Sequence, residues 1–220
     1  MKILLLTLVL VFIPLFTLAD QGDTEVVNVS LELKGGAFFP ALPNWTKFYG
    51  RRHMPAYGGA LAYKILRQIE VGIEGTYSNA NGNGQALLHG NQPALASRVS
   101  FELLPLDVFV LARGIFDEDQ LLVPYLGGGW TRVFYREEIS GQGQGKVQGS
   151  TNGYHARGGV QLLLDRLDPD SAKNFKHDFN VRHTYFFVET KYTRAFANTE
   201  PSGSVNLGGG SYLGGLRFEF

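Results

Sequence analysis

Tyr212-Leu-Gly-Gly-Leu-Arg-Phe-Glu-Phe220 sets Tyr212, Gly214, Leu216, Phe218 and Phe220 at every second position, with Arg217 and Glu219 between them. A period of two is the mark of a β-strand, here with one apolar and one charged face. Such a strand stands between an apolar and a polar environment. The same alternation recurs upstream and yields eight strands in all.

At 29–39, Val29, Leu31, Leu33, Ala37 and Phe39 oppose Ser30, Glu32, Lys34 and Gly36. Strands 56–66 and 69–78 put Leu61, Tyr63 and Ile65, then Ile69, Val71, Ile73 and Tyr77, on the apolar side, with Lys64, Glu70 and Glu74 inward and a tight turn near Leu66-Arg67-Gln68. In 95–113 the charges change parity: Arg98 and Glu102 are even, Asp107 and Arg113 odd. Proline cannot donate to the ladder, so a β-bulge at Leu104-Pro105 is expected to turn all four inward. In 122–136, an inward Arg132 carries Trp130 inward and leaves Gly127 and Gly129 facing lipid. Strand 153–165 points His155, Arg157, Gln161 and Asp165 inward, 184–194 points Glu189 and Lys191 inward, and 207–220 adds Arg217 and Glu219.

The fold expected is all-β, an eight-stranded antiparallel up-and-down transmembrane barrel. Its interior is just wide enough for side chains to fill. The inward set holds Lys34, Lys64, Arg98, Arg113, Arg132, Arg157, Lys191 and Arg217 against Glu32, Glu70, Glu74, Glu102, Asp107, Asp165, Glu189 and Glu219. Equal numbers of each sign predict a buried ion-pair network, since an unpaired charge there costs several kcal/mol. A continuous water or ion path is the competing reading. With an even strand count, 40–55, 79–94, 137–152 and 195–206 become extracellular loops. Asp168-Pro169-Asp170-Ser171 predicts a helical turn within 166–182.

Composition narrows the rest. The 220 residues include 20 basic and 20 acidic ones, so no net charge argues for nucleic acid. There is no cysteine, which removes disulfides, thiolate metal sites and cysteine lipidation. After residue 19 no apolar run approaches the roughly 18 residues of a transmembrane helix. His53, His89, His155, His177 and His183 lack metal-ligand spacing, so neither a metal nor another cofactor is expected. Lys2, the apolar run Ile3 to Leu18 and the small-x-small site Thr17-Leu18-Ala19 read as a signal peptide cleaved before Asp20. This gives residues 1–19 as signal peptide and 20–220 as one barrel domain.

Together, the signal peptide, the eight strands, the Pro124-Tyr-Leu-Gly-Gly-Gly stretch and terminal Phe220 resemble the OmpA/OmpX/OmpW-type small outer-membrane barrels. The resemblance implies export to the bacterial outer membrane, with Phe218 and Phe220 recognised by that membrane's assembly machinery. It covers membrane anchors, adhesion proteins and conduits for small hydrophobic solutes, so it leaves function open. Two barrels of this size are lipid A enzymes. The deacylase type uses His-x-Ser, where this chain has His155-Ala156-Arg157; Ser150, Thr151, Glu137 and Glu138 are the nearby alternatives for a Ser-His-Glu set. No catalytic residue is assigned, and a structural or surface-interaction role is expected, ahead of a narrow channel and then a lipid A enzyme. Between Pro43 and Pro55, Trp45, Lys47, Phe48, Tyr49, Arg51, Arg52 and His53 form a basic aromatic loop. It reads as an interfacial girdle or, through Lys47, Arg51 and Arg52, as a contact for lipopolysaccharide phosphates.

Overall fold

The computed structural model describes residues 29–83, 98–117, 120–140, 145–199 and 203–220. The signal-peptide reading of 1–19, His89 and most of the second loop lie outside the described residues. Antiparallel strands follow in order as β1 (Val29–Pro40), β2 (Met54–Leu66), β3 (Ile69–Asn83), β4 (Arg98–Arg113), β5 (Leu122–Ser140), β6 (Gly145–Leu163), β7 (His183–Thr199), β8 (Gly203–Asn206) and β9 (Gly209–Glu219). From β1 to β8 each strand pairs with the next, and β9 pairs with both β7 and β1, so the sheet closes. Against β7, Asn206 opposite Phe196 and Gly209 opposite Thr193 keep one register, which makes β8 and β9 two pieces of one spanning strand. The barrel is therefore eight-stranded.

Its shape follows from the pairing. The path Ser30, Ala62, Gly72, Phe109, Gly129, His155, Thr193 and Gly209 returns to β1 at Pro40. That stagger, from position 30 to position 40, fixes the strand tilt. It also means that a horizontal circle drops by about one and a quarter residues per strand relative to the paired row. The circle through Trp130 then passes close to Tyr154, Tyr192, Tyr212 and Tyr57. All five face outward and are 47% to 65% exposed, as a girdle at a membrane interface requires. Below it, the outer faces of the strands carry no charge. Leu106, Val108 and Val110 of β4 and Leu122 and Leu126 of β5 are typical.

Three expectations are corrected here. Pairing of β4 with β5 runs without a shift from Arg98 to Arg113, so Leu104-Pro105 is not a bulge. One parity holds throughout: Val99, Phe101, Leu103, Asp107, Phe109, Leu111 and Arg113 are buried inside, and Arg98 and Glu102 stand outside. On β5, Thr131 and Val133 point in, Gly127 and Gly129 share their parity, and Trp130 and Arg132 point out. The physical reason is strand length. β5 and β6 have 19 residues each, whereas about 9–11 cross a bilayer. Beyond the girdle an outward charge meets water, so nothing forces it into the lumen. The same extension turns much of the expected loop 137–152 into ladder, out to Ile139 opposite Gly145.

At the opposite end, the segment between β6 and β7 forms helix α2 (Pro169–Phe179); the first helix, α1 (Trp45–Tyr49), lies in the first loop. Proline stands in the first turn of α2, and the Asp168 carboxylate accepts a hydrogen bond from the Ser171 N–H at 3.0 Å. The Ser171 hydroxyl donates to the same carboxylate at 2.6 Å, and this bond with the N–H bond holds the carboxyl below its ordinary range.

Candidate functional site

The lumen is the only enclosed region that the described strands build, and it is layered. At mid-height the inward positions of seven strands supply six acids and six bases. Glu32 and Lys34 come from β1, Lys64 from β2, Glu70 and Glu74 from β3, Asp107 and Arg113 from β4, Arg157 from β6, Glu189 and Lys191 from β7, and Arg217 and Glu219 from β9. All but the partly exposed Lys64 are buried.

Every one has an opposite partner. Arg157 reaches Glu74 at 2.7 Å, Glu189 at 2.7 Å and Glu32 at 3.0 Å. Glu74 also holds Lys34 and Lys191, each at 2.7 Å. Arg217 spans Glu70 at 2.6 Å, Glu32 at 3.0 Å and Glu219 at 3.1 Å. Arg113 bridges Glu70 and Glu219, Lys64 meets Glu219 at 3.2 Å, and Lys191 pairs with Asp107. Aromatic rings complete the packing: Phe109 lies 4.6 Å beneath the Arg157 guanidinium, and the Tyr125 hydroxyl donates to Glu189 at 3.0 Å. Gly159 makes room for that hydroxyl, since a Cβ there would stand 2.8 Å from it.

Above the ions the lumen becomes apolar. Phe38, Met54, Val99, Phe101, Leu103, Val133, Ile139, Leu207 and Leu213 form one cluster, and α1 drops into it from the first loop. Trp45 and Tyr49 stack at 4.0 Å, Trp45 meets Phe101 edge-on at 5.6 Å, and the Tyr49 hydroxyl donates to Glu137 at 3.0 Å. Burial and the neighbouring Glu137 carboxylate push the Tyr49 phenol well above its ordinary range. Asn44 at φ 60° and Gly50 at φ 67° bracket the helix in the left-handed region, which suits Asn and Gly. Gly82 of β3 lets it approach, because a Cβ there would stand 2.7 Å from the Phe48 carbonyl oxygen. Between cap and ions remains a cavity of about 20 Å³, lined mostly by apolar side chains such as Phe38, Leu103 and Leu213, with Thr76, Ser78 and Lys191 among its polar neighbours. It has room for about one water molecule.

The structure thus separates the residues expected in the network. Twelve meet in the lumen. Arg98 is exposed, Glu102 accepts from the outward Tyr77 hydroxyl at 3.1 Å, and Arg132 bonds Ser150 at 2.9 Å on the outer surface. Asp165 lies at the turn after β6, where it holds His183 at 2.9 Å and the Thr184 N–H at 3.0 Å. The first loop also departs from expectation: Trp45 and Tyr49 plug the lumen instead of lining a girdle, while Lys47, Arg51 and Arg52 are exposed above them. The i, i+4 spacing of Trp45 and Tyr49 puts both rings on one face of this single turn, but a five-residue helix leaves no periodic run in the sequence to mark it.

No Ser-His-Glu set assembles. Ser150 is outside, and Glu137 is taken by Tyr49. His155 instead has Thr131 Oγ1 at 2.8 Å and Asp107 at 3.6 Å, both on Nδ1, with Nε2 buried and without a hydrogen-bond partner among the described residues. A relay needs the nucleophile and the carboxylate on different ring nitrogens. Among the described residues no group of three or more His, Asp or Glu side chains could hold a metal ion.

No family model and no curated protein matches the chain. Solved structures do. Neisserial surface protein A superposes with a TM-score of 0.54 at 12% identity, over 87% of this chain and 97% of that one. The outer membrane protein OprG from Pseudomonas aeruginosa gives 0.53 at 11% identity, over 91% and 99%. At such identities the likeness speaks for the fold alone, and in fold this chain is a small eight-stranded β-barrel of the outer-membrane type.

Proposed function

We propose that the chain is an integral bacterial outer-membrane protein with a sealed lumen, whose role is non-enzymatic: structural, or in interactions at the outer surface. The observation that carries this reading is the double closure of the interior. An ion-pair layer with six charges of each sign fills the middle, and the α1 plug covers the apolar layer above it. Where the ion layer meets the apolar layer, the cavity beside Lys191 has space for about one water, which speaks against the narrow channel. The Nδ1-sided contacts of His155, and a Thr131 hydroxyl fully shielded from solvent, speak against acyl transfer.

The test has two arms. Cell fractionation should place the protein with the outer membrane. Liposomes carrying the purified barrel should retain small entrapped sugars as well as protein-free liposomes do, and incubation with lipopolysaccharide should leave the acyl chains of lipid A unchanged by mass. Rapid sugar efflux would replace this reading with the conduit. Acyl loss abolished by His155→Ala would replace it with the enzyme.

A further inference from the structure

The outer surface just beyond the aromatic girdle carries two arginines with no carboxylate partner among the described residues. Arg132 of β5 stands two residues past Trp130, and Arg194 of β7 two residues past Tyr192. With a rise of about 3.4 Å per residue and a tilt of about 40°, each lies about 5 Å above the girdle. Because level positions drop along successive strands, the two share one height. Their Cα atoms are about 12 Å apart across β6. Higher on the same face Arg136 pairs with Glu138, and Glu102 accepts from the Tyr77 hydroxyl. At the level of the headgroups the two arginines have only neutral neighbours among the described residues. Arg132 meets only the neutral Ser150 at 2.9 Å and Asn152 at 3.5 Å, with Phe134 at 5.6 Å. Arg194 lies over Phe196 at 5.1 Å. Aromatic rings thus lie beside both guanidinium groups, and both side chains are exposed.

Two cations held at the headgroup level, beside exposed Trp130, Tyr154 and Tyr192, face the layer where lipid phosphates lie. We propose that Arg132 and Arg194, with Ser150 and Asn152 between them, form a lateral site for the phosphate groups of a phosphorylated glycolipid of the outer leaflet. The fork of each guanidinium suits a phosphate, and the apolar belt beneath receives the acyl chains. The site rests on the outer-membrane reading and gives it a lipid partner. It is separate from the exposed Lys47, Arg51 and Arg52 of the first loop.

The test is lipid A retention by the full barrel in detergent, read by native mass spectrometry, beside electrophoretic mobility as a check of folding. The arms are phosphorylated lipid A, the same lipid stripped of phosphate, and inorganic phosphate. The unmodified protein should retain phosphorylated lipid A, and Arg132→Gln with Arg194→Gln should weaken retention about tenfold, the effect of losing one or two charge-assisted contacts. The stripped lipid should bind both forms equally weakly. Arg132→Lys with Arg194→Lys should restore part of the binding. Equal retention of phosphorylated lipid A by the Gln variant overturns the site, as does equal loss with the stripped lipid. A barrel that is absent from the outer membrane overturns the broader reading instead, and that result comes from fractionation, not from this assay.

Discussion

Replacing Arg157 by Met tests whether the ionic layer is dry. The guanidinium holds Glu32, Glu74 and Glu189 and lies on Phe109. Met keeps much of the volume and removes the charge, leaving an excess of one carboxylate in a space that water does not reach. Breaking a buried pair in this way costs about 3–5 kcal/mol. The cost falls at the upper end where several carboxylates lose one partner. Urea unfolding of the protein reconstituted in phosphatidylcholine vesicles, with folded fraction read from electrophoretic mobility, measures it. Arg157→Lys should fall between the two, since it restores one charge without the three-way geometry. A loss under about 1 kcal/mol for Met would place the network in the range of hydrated surface pairs, and would refute the sealed interior.

Other outcomes follow from the same geometry. Arg98→Ala, at an exposed position on the outer ladder, should change stability by no more than about 0.5 kcal/mol, measured in the same unfolding assay. Tyr49→Phe removes a hydrogen bond to the buried Glu137 carboxylate and should cost about 1.5–3 kcal/mol. Gly82→Leu should expel α1, because its side chain would occupy the space of Phe48 and Tyr49. A red shift of Trp45 fluorescence in a Trp130→Phe background reports this. Asp168→Ala removes the cap of α2 and should increase hydrogen exchange in 169–179 without altering the barrel. Because the folded carboxyl is depressed, the stabilisation of α2 by this cap is present above the ordinary aspartate range and is lost as pH falls through the folded value.

Parity read the membrane-crossing part of the chain well because lipid enforces a single rule there. Glu32, Lys34, Glu74, Asp107, Arg157, Glu189 and Arg217 had one place to go. The rule lapses beyond the girdle, where water lies outside the ladder. Extended past the girdle, the rule places Arg98, Glu102 and Arg132 inward and demands a bulge at Pro105, whereas in water these side chains stay outside an unbroken ladder. Asp165 shows the same limit at the other end. The α1 plug was hidden for a different reason: Trp45 and Tyr49 belong to a five-residue helix with no periodic run behind it, and its position depends on the apolar upper lumen from Phe101 to Leu213. The common level of Arg132 and Arg194 likewise depends on the stagger of the closed sheet, which no single strand's pattern contains.

Single-molecule conductance in planar bilayers tests the sealed lumen most directly. The unmodified barrel should insert without discrete current steps, whereas Arg157→Met combined with Trp45→Ala, which opens both layers, should conduct. Frequent, uniform channel openings by the unmodified protein would contradict a lumen closed by ion pairs and the first-loop helix.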